Sequence, residues 1–101
     1  MEHSLIVKEF LELVKIDVQS RNERSIADVL KRKLTALGLE VAEDDTAAKV
    51  GGNAGNIIAR LNGEPGIPAV LFSAHMDRVA NPGGIQPVIH EDKGMITSDG
   101  N

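Results

Sequence analysis

Residues 68–80 read Pro68-Ala69-Val70-Leu71-Phe72-Ser73-Ala74-His75-Met76-Asp77-Arg78-Val79-Ala80. The short apolar run Ala69 to Phe72 ends in two small residues. It is bounded by Pro68 before it and Asn81-Pro82-Gly83-Gly84 after it. An apolar run of that length between turn residues reads as a buried strand of a parallel or mixed sheet. His75 and Asp77 then fall just past its C-terminal end, the edge at which open α/β sheets bind ligands. Residues two apart in extended chain point to the same side. The imidazole and the carboxylate are therefore expected to face one crevice.

The rest of the composition narrows what such a crevice can do. With 101 residues the chain has room for one small domain. Its net charge is −4 and its aromatic content is 2%, Phe10 and Phe72 alone. Neither suits a nucleic-acid partner, which calls for basic charge and stacking platforms. The basic residues from Arg21 to Lys33 alternate with acids, as on a solvated helix face. The absence of cysteine removes disulfides, thiol catalysis and Cys-type zinc sites. The N-terminus, MEHSLIVKEF, carries an acid at position 2 and no long apolar core, so it reads as neither a secretory signal nor a membrane span. A cytoplasmic protein is the expectation.

Ahead of the central run, the pattern predicts two helices. Ser4 to about Asp17 carries Leu5, Ile6, Phe10, Leu13 and Val14 at three- and four-residue spacing, with Ser4 placed to cap. Ser20-Arg21-Asn22-Glu23 matches the S-x-x-E capping box. A second helix follows to about Leu37, with the stripe Ile26, Val29, Leu30, Leu34, Leu37, and Gly38 supplies its left-handed cap. Leu39–Glu43 alternates as a half-buried strand. Asp44 to Gly55 reads as a loop. Its Gly51-Gly52-Asn53-Ala54-Gly55 fits no phosphate-binding pattern and is expected to be a flexible connection needing positive φ. Asn56–Leu61 reads as a strand, and Asn62-Gly63 as a hairpin turn into the central run. Gln86–Glu91 and Met95–Ser98 form a small hairpin turning at Glu91-Asp92-Lys93-Gly94. Two helices followed by strands make an α/β layer, helices packed on a sheet.

Imidazole nitrogen and carboxylate oxygen are zinc ligands. A ligating His commonly donates its second N–H to a carboxylate that fixes its tautomer. An H-x-D corner offers both roles, although the spacing alone does not separate a ligand from an incidental pair. The surroundings add to it. Ser25-Ile26-Ala27, Leu37-Gly38, Gly55-Asn56-Ile57-Ile58-Ala59, Phe72-Ser73-Ala74-His75-Met76-Asp77 and Ser98-Asp99-Gly100 occur in this order. Together they resemble the N-terminal part of the co-catalytic di-zinc exopeptidases, the family of peptidase T, carboxypeptidases and aminoacylases. Within that family the chain looks most like the peptidase T-like aminotripeptidases.

That resemblance covers nearly the whole chain and implies a zinc-exopeptidase-like mixed sheet with packed helices. His75 would ligate one of two zinc ions, and Asp77 would be the active-site carboxylate that orients it. Met76 would be packing. Arg78 departs from the small hydroxyl residue often found at its position. His90 and His3 have no role in the family pattern and read as polar surface residues. In the family a bridging Asp, a catalytic Glu, a further carboxylate and a second His come later in the chain. The dimerisation domain is separate. Residues 1–101 are thus expected to be the N-terminal portion of the catalytic domain, inactive alone. In the complete enzyme a metal-activated water, deprotonated by a Glu, would attack the N-terminal peptide bond of a short peptide; a homodimer is compatible. A non-catalytic α/β binding module, or an N-acyl-amino-acid amidohydrolase of the same family, are the alternatives.

Overall fold

The computed structural model describes residues 4–19, 21–79 and 83–99. Along the chain these form helix α1 (Leu5–Val14), helix α2 (Arg24–Ala36), strand β1 (Glu40–Glu43), helix α3 (Thr46–Val50) and strand β2 (Ile57–Arg60). A hairpin of β3 (Pro87–His90) and β4 (Met95–Ser98) completes them. The α/β class expected from the sequence holds. The strands pair as two separate two-stranded antiparallel ladders, β1 with β2 and β3 with β4.

Local chemistry accounts for most boundaries. The Ser4 hydroxyl oxygen accepts from the Val7 N–H at 3.3 Å and starts α1. Helix α2 ends in a Schellman motif: with Gly38 at φ 92°, its N–H donates to the Thr35 carbonyl at 3.0 Å and that of Leu39 to the Leu34 carbonyl at 3.2 Å. The β1–β2 register pairs Glu40 with Arg60 and Glu43 with Ile57. Glu91–Lys93 makes a 3-10 turn closed by left-handed Gly94, and so joins β3 to β4 where the turn residues placed it.

The buried apolar residues are Val18, Ile26, Ala27 and Ala54. Ile26 and Ala27 lie at the N-terminal end of α2, Ala54 in the loop after α3 and Val18 between α1 and α2. In α1, Leu5, Ile6 and Phe10 of the expected stripe are exposed, while Val7, Leu11, Leu13 and Val14 are half-buried. The helix is apolar on more than one side, so periodicity alone did not select the inward face.

Four expectations are corrected. Residues 69–74 form no strand, and Val70, Leu71 and Phe72 are exposed, Leu71 to 91% and Phe72 to 90%. A strand apolar on both faces needs ladders on its edges and cover on both faces. Among the described residues β1 pairs only with β2 and β3 only with β4, so neither ladder extends to this run, and α2 lies on the first pair. The Asn62-Gly63 hairpin turn is absent for the same reason. Neither residue takes positive φ, and the chain turns at Pro65–Gly66 instead, Gly66 having φ 84°. Helix α3 occupies part of the expected loop 44–55: Asp44 accepts from the Thr46 N–H at 3.2 Å and hydroxyl at 2.7 Å, and Gly51 at φ 71° stops the helix.

The glycine-rich stretch is the fourth correction, because it is a docking element rather than a flexible connection. Asn53 N–H donates to the Arg21 carbonyl at 3.0 Å, and Asn53 Oδ1 accepts from the Arg24 N–H at 3.0 Å. The second bond caps α2 from 29 residues away. At Gly55 a Cβ would collide with the Asp44 carbonyl oxygen, so close approach requires glycine there. Of the capping box, Ser20 lies outside the described residues, as do His3, Asn81-Pro82 and Gly100. The Glu23 carboxylate accepts from the Arg21 N–H at 2.8 Å.

The resulting outline is open. The Cα radius of gyration is 16.1 Å, against roughly 13 Å for a compact chain of about 100 residues.

Candidate metal centre

Met76, Asp77 and Arg78 are half-buried, between an exposed stretch ending at His75 and exposed Val79. His75 Nδ1 lies 3.5 Å from Asp77 Oδ1, so the two side chains do face one another. That separation is longer than a good N–H···O bond. The contact is an electrostatic approach rather than a hydrogen bond. The imidazole is 93% exposed and the Asp77 side chain 34%. With Nδ1 toward the carboxylate, Nε2 is the nitrogen left for a ligand. The expected strand-end crevice is absent, since residues 67–75 are exposed. A shallow concavity on α2, lined by Lys31, Arg32, Thr35 and Ala36, contains neither residue. No group of three His, Asp or Glu side chains among the described residues could hold a metal ion.

What fixes the corner comes from far away in sequence. Arg78 donates from Nη1 to the Val14 carbonyl at 2.6 Å and from Nη2 to the Ile16 carbonyl at 2.8 Å. These carbonyls belong to the end of α1, where the helix leaves acceptors unpaired and where a cation is favoured. The Arg78 Nε–H is buried without a partner. Three residues past the end of α1, Asp17 accepts from the Gly84 N–H at 2.8 Å. No pattern in the sequence announces these ties: an isolated Arg and an isolated Asp carry no spacing signal.

The strongest polar cluster lies elsewhere. Arg24 pairs with Glu43 at 2.6 Å and Asp28 at 2.7 Å. The Arg24 guanidinium, followed by the Gly55 N–H at 2.9 Å, pulls the Glu43 carboxyl down to about 2. Glu43 and then Asp28 raise Arg24 in turn. Asp44 is held well below the usual carboxylate range by the Thr46 hydroxyl and then by Asn56, whose N–H donates at 2.8 Å and whose amide donates at 2.9 Å. Each partner is one that folds α2, β1, α3 and β2 together, which makes the cluster structural. His90 Nε2 sits 2.8 Å from Thr97 Oγ1 across the β3–β4 hairpin, a cross-strand pair.

In sequence and fold the chain is similar to part of two peptidases, consistent with the N-terminal part of a peptidase T-like enzyme. Aminopeptidase PepT from Bacillus cereus ATCC 10987 matches with TM-score 0.87 and 45% identity over 94% of this chain and 25% of its own. A tripeptidase from Staphylococcus aureus subsp. aureus Mu50 matches with TM-score 0.87 and 38% identity over the same shares. An uncharacterized protein of Bacillus subtilis strain 168, YqjE, is 42% identical over 95 residues, 94% of this chain and 25% of that one. The chain thus spans about a quarter of the length of the relatives it matches. No protein-family model matches it. No helix among the described residues is long and apolar enough to cross a membrane.

Proposed function

We propose that this chain forms part of a zinc-dependent exopeptidase that hydrolyses the N-terminal peptide bond of short peptides. In this reading His75 holds one metal ion and Asp77 orients His75. The supporting observation is the corner itself: His75 Nδ1 faces Asp77 Oδ1 at 3.5 Å in a chain whose structural neighbours are an aminopeptidase and a tripeptidase.

The donor set fits such an ion in part. An imidazole with Nδ1 turned to a carboxylate presents Nε2 as the ligating atom, and Asp77, were it to accept the Nδ1–H, would fix the tautomer. Zinc bound there would act as a Lewis acid and lower the pKa of a bound water toward about 7. One imidazole is not a closed coordination sphere, and the described residues bring no third donor to it. Residues 1–101 alone are therefore expected to bind zinc weakly and to leave peptides uncut. A sub-micromolar calorimetric site abolished by His75→Ala would refute that ligand set.

A chimera tests the activity. This chain replaces the matching quarter of the Staphylococcus aureus tripeptidase, and tripeptide hydrolysis and bound zinc are measured. The expected result is turnover that His75→Ala removes along with one metal ion. Asp77→Asn is expected to keep the fold and lose roughly 10–100-fold in metal affinity or rate. A folded chimera indifferent to both substitutions would sink the reading. It would favour the second one, a non-catalytic module, whose support is the exposed apolar face at Val70, Leu71 and Phe72.

A further inference from the structure

The half-buried guanidinium of Arg78 follows directly on Asp77, and both of its terminal nitrogens are engaged by main-chain oxygens 62 and 64 residues earlier. We propose that Arg78 is a positioning residue: by binding the Val14 and Ile16 carbonyls it fastens the His75–Asp77 corner to the C-terminal end of α1. The inference rests on the metal role of that corner given above.

Three observations carry it. First, the exposed run Leu61–His75 forms no strand or helix, and the main-chain bond within it is the long Ile67 N–H to Glu64 carbonyl contact at 3.4 Å, so the run leading into the corner is loosely held. Second, the two Arg78 bonds are short, at 2.6 and 2.8 Å, and they place a cation at the negative end of a helix. Third, Asp17 binds the Gly84 N–H at 2.8 Å, so the chain beyond the corner returns to the same end of α1. Two independent ties thus bracket the stretch that follows Asp77, and both end on residues 14–17. The planar fork of Arg presents its N–H groups to two carbonyls in a fixed geometry, which a Lys ammonium matches only with less pre-organisation and a Thr hydroxyl, with one O–H, cannot match. The fork thus ties the corner to the first helix.

The experiment has two arms, read separately. In the 101-residue chain, backbone 15N relaxation is measured for wild type, Arg78→Ala, Arg78→Lys and the control Asn53→Ala. Arg78→Ala is expected to lower order at residues 75–79 while α2, β1 and β2 keep theirs, Arg78→Lys to recover part of it, and Asn53→Ala to loosen the start of α2 but not the corner. Unchanged order at 75–79 in Arg78→Ala overturns the proposal, whatever the enzyme assay gives. In the chimera, Arg78→Ala is expected to lower kcat roughly 10-fold or more with KM within about twofold, as misplacement of a catalytic group does, and Arg78→Lys to restore part of the rate. Equal kcat in a folded Arg78→Ala chimera also overturns it. A wild-type chimera without activity sinks the peptidase reading alone, and the relaxation arm still decides the anchoring.

Discussion

Residues 21–60 and residues 61–79 lie side by side in sequence and carry similar shares of aliphatic residues, yet they end in opposite states. The first stretch closes on itself. Helix α2 lies on β1 and β2, Asn53 caps the helix, and Glu43 gathers Arg24, Lys31 and the Gly55 N–H. The second stretch holds the most apolar run of the chain, and it leaves Leu71 and Phe72 almost wholly exposed. Hydrophobicity does not decide which residues are buried. A strand is buried when its neighbours in space complete its ladder, and a helix needs only one face covered. The closed stretch finds its partners within about 40 residues of sequence. The open one finds an anchor at Arg78 and no ladder.

Truncating one large apolar side chain to Ala in each stretch should separate the two most strongly. Ile26→Ala is expected to cost about 2–4 kcal/mol, because it empties part of a small core. Phe72→Ala, which removes a larger side chain, is expected to stay within about 0.5 kcal/mol, since that ring is 90% exposed. Urea unfolding of both variants decides it. A large loss at Phe72 would mean that the apolar run is covered in solution.

Next in size is Gly55→Ala. The new methyl meets main chain, the Asp44 carbonyl oxygen, rather than a side chain able to swing away. A loss of about 1–3 kcal/mol is expected from displaced backbone. Gly63→Ala, with nothing near its Cβ and no positive φ, should be close to neutral. Equal effects at the two glycines would remove the distinction between a packed and an unpacked turn.

These contrasts also show what the sequence made legible. Elements held by bonds between near neighbours were readable: the Ser4 cap, the Leu37-Gly38 stop, the alternation of β1 and the Glu91–Gly94 turn each depend on residues a few positions apart. So was the His75–Asp77 pairing, because extended chain sets which way alternate side chains point. Asn53 was not readable as a cap for Arg24, because the partners are 29 positions apart and the local pattern around Asn53 reads as loop. Arg78 was missed for the same reason. The central run was misread because its composition reports that it wants burial, while burial itself depends on elements that no local pattern names.

Self-association tests the open stretch directly. Bare main chain beside Leu71 and Phe72 is a template for pairing with another copy. Sedimentation across a concentration series is expected to show association in the wild-type chain and less of it in Leu71→Lys, with circular dichroism unchanged because the closed stretch is untouched. A concentration-independent wild-type monomer would show that the run shields itself.

The smallest expected effect is the response to acid, and its sign follows from Glu43 and Asp44. Both carboxyls titrate lower in the folded chain than in the unfolded one, Glu43 at about 2. A depressed carboxylate stabilises the fold fully above its unfolded value, near 4, and that contribution is lost as the pH falls through the folded value. Stability of the closed stretch should therefore be flat from neutrality down to about pH 5 and decline from there toward pH 2. The decline should be modest, because these partners are exposed enough for water and salt to screen them. Glu43→Gln should flatten the part of that decline due to the Arg24 pair while lowering stability at neutral pH, and added salt should shrink the difference. The amides of residues 67–75, which depend on neither carboxylate, should show the same exchange protection throughout this range once the intrinsic pH dependence is divided out. A matching acid response in that run would mean that the two stretches fold as one unit.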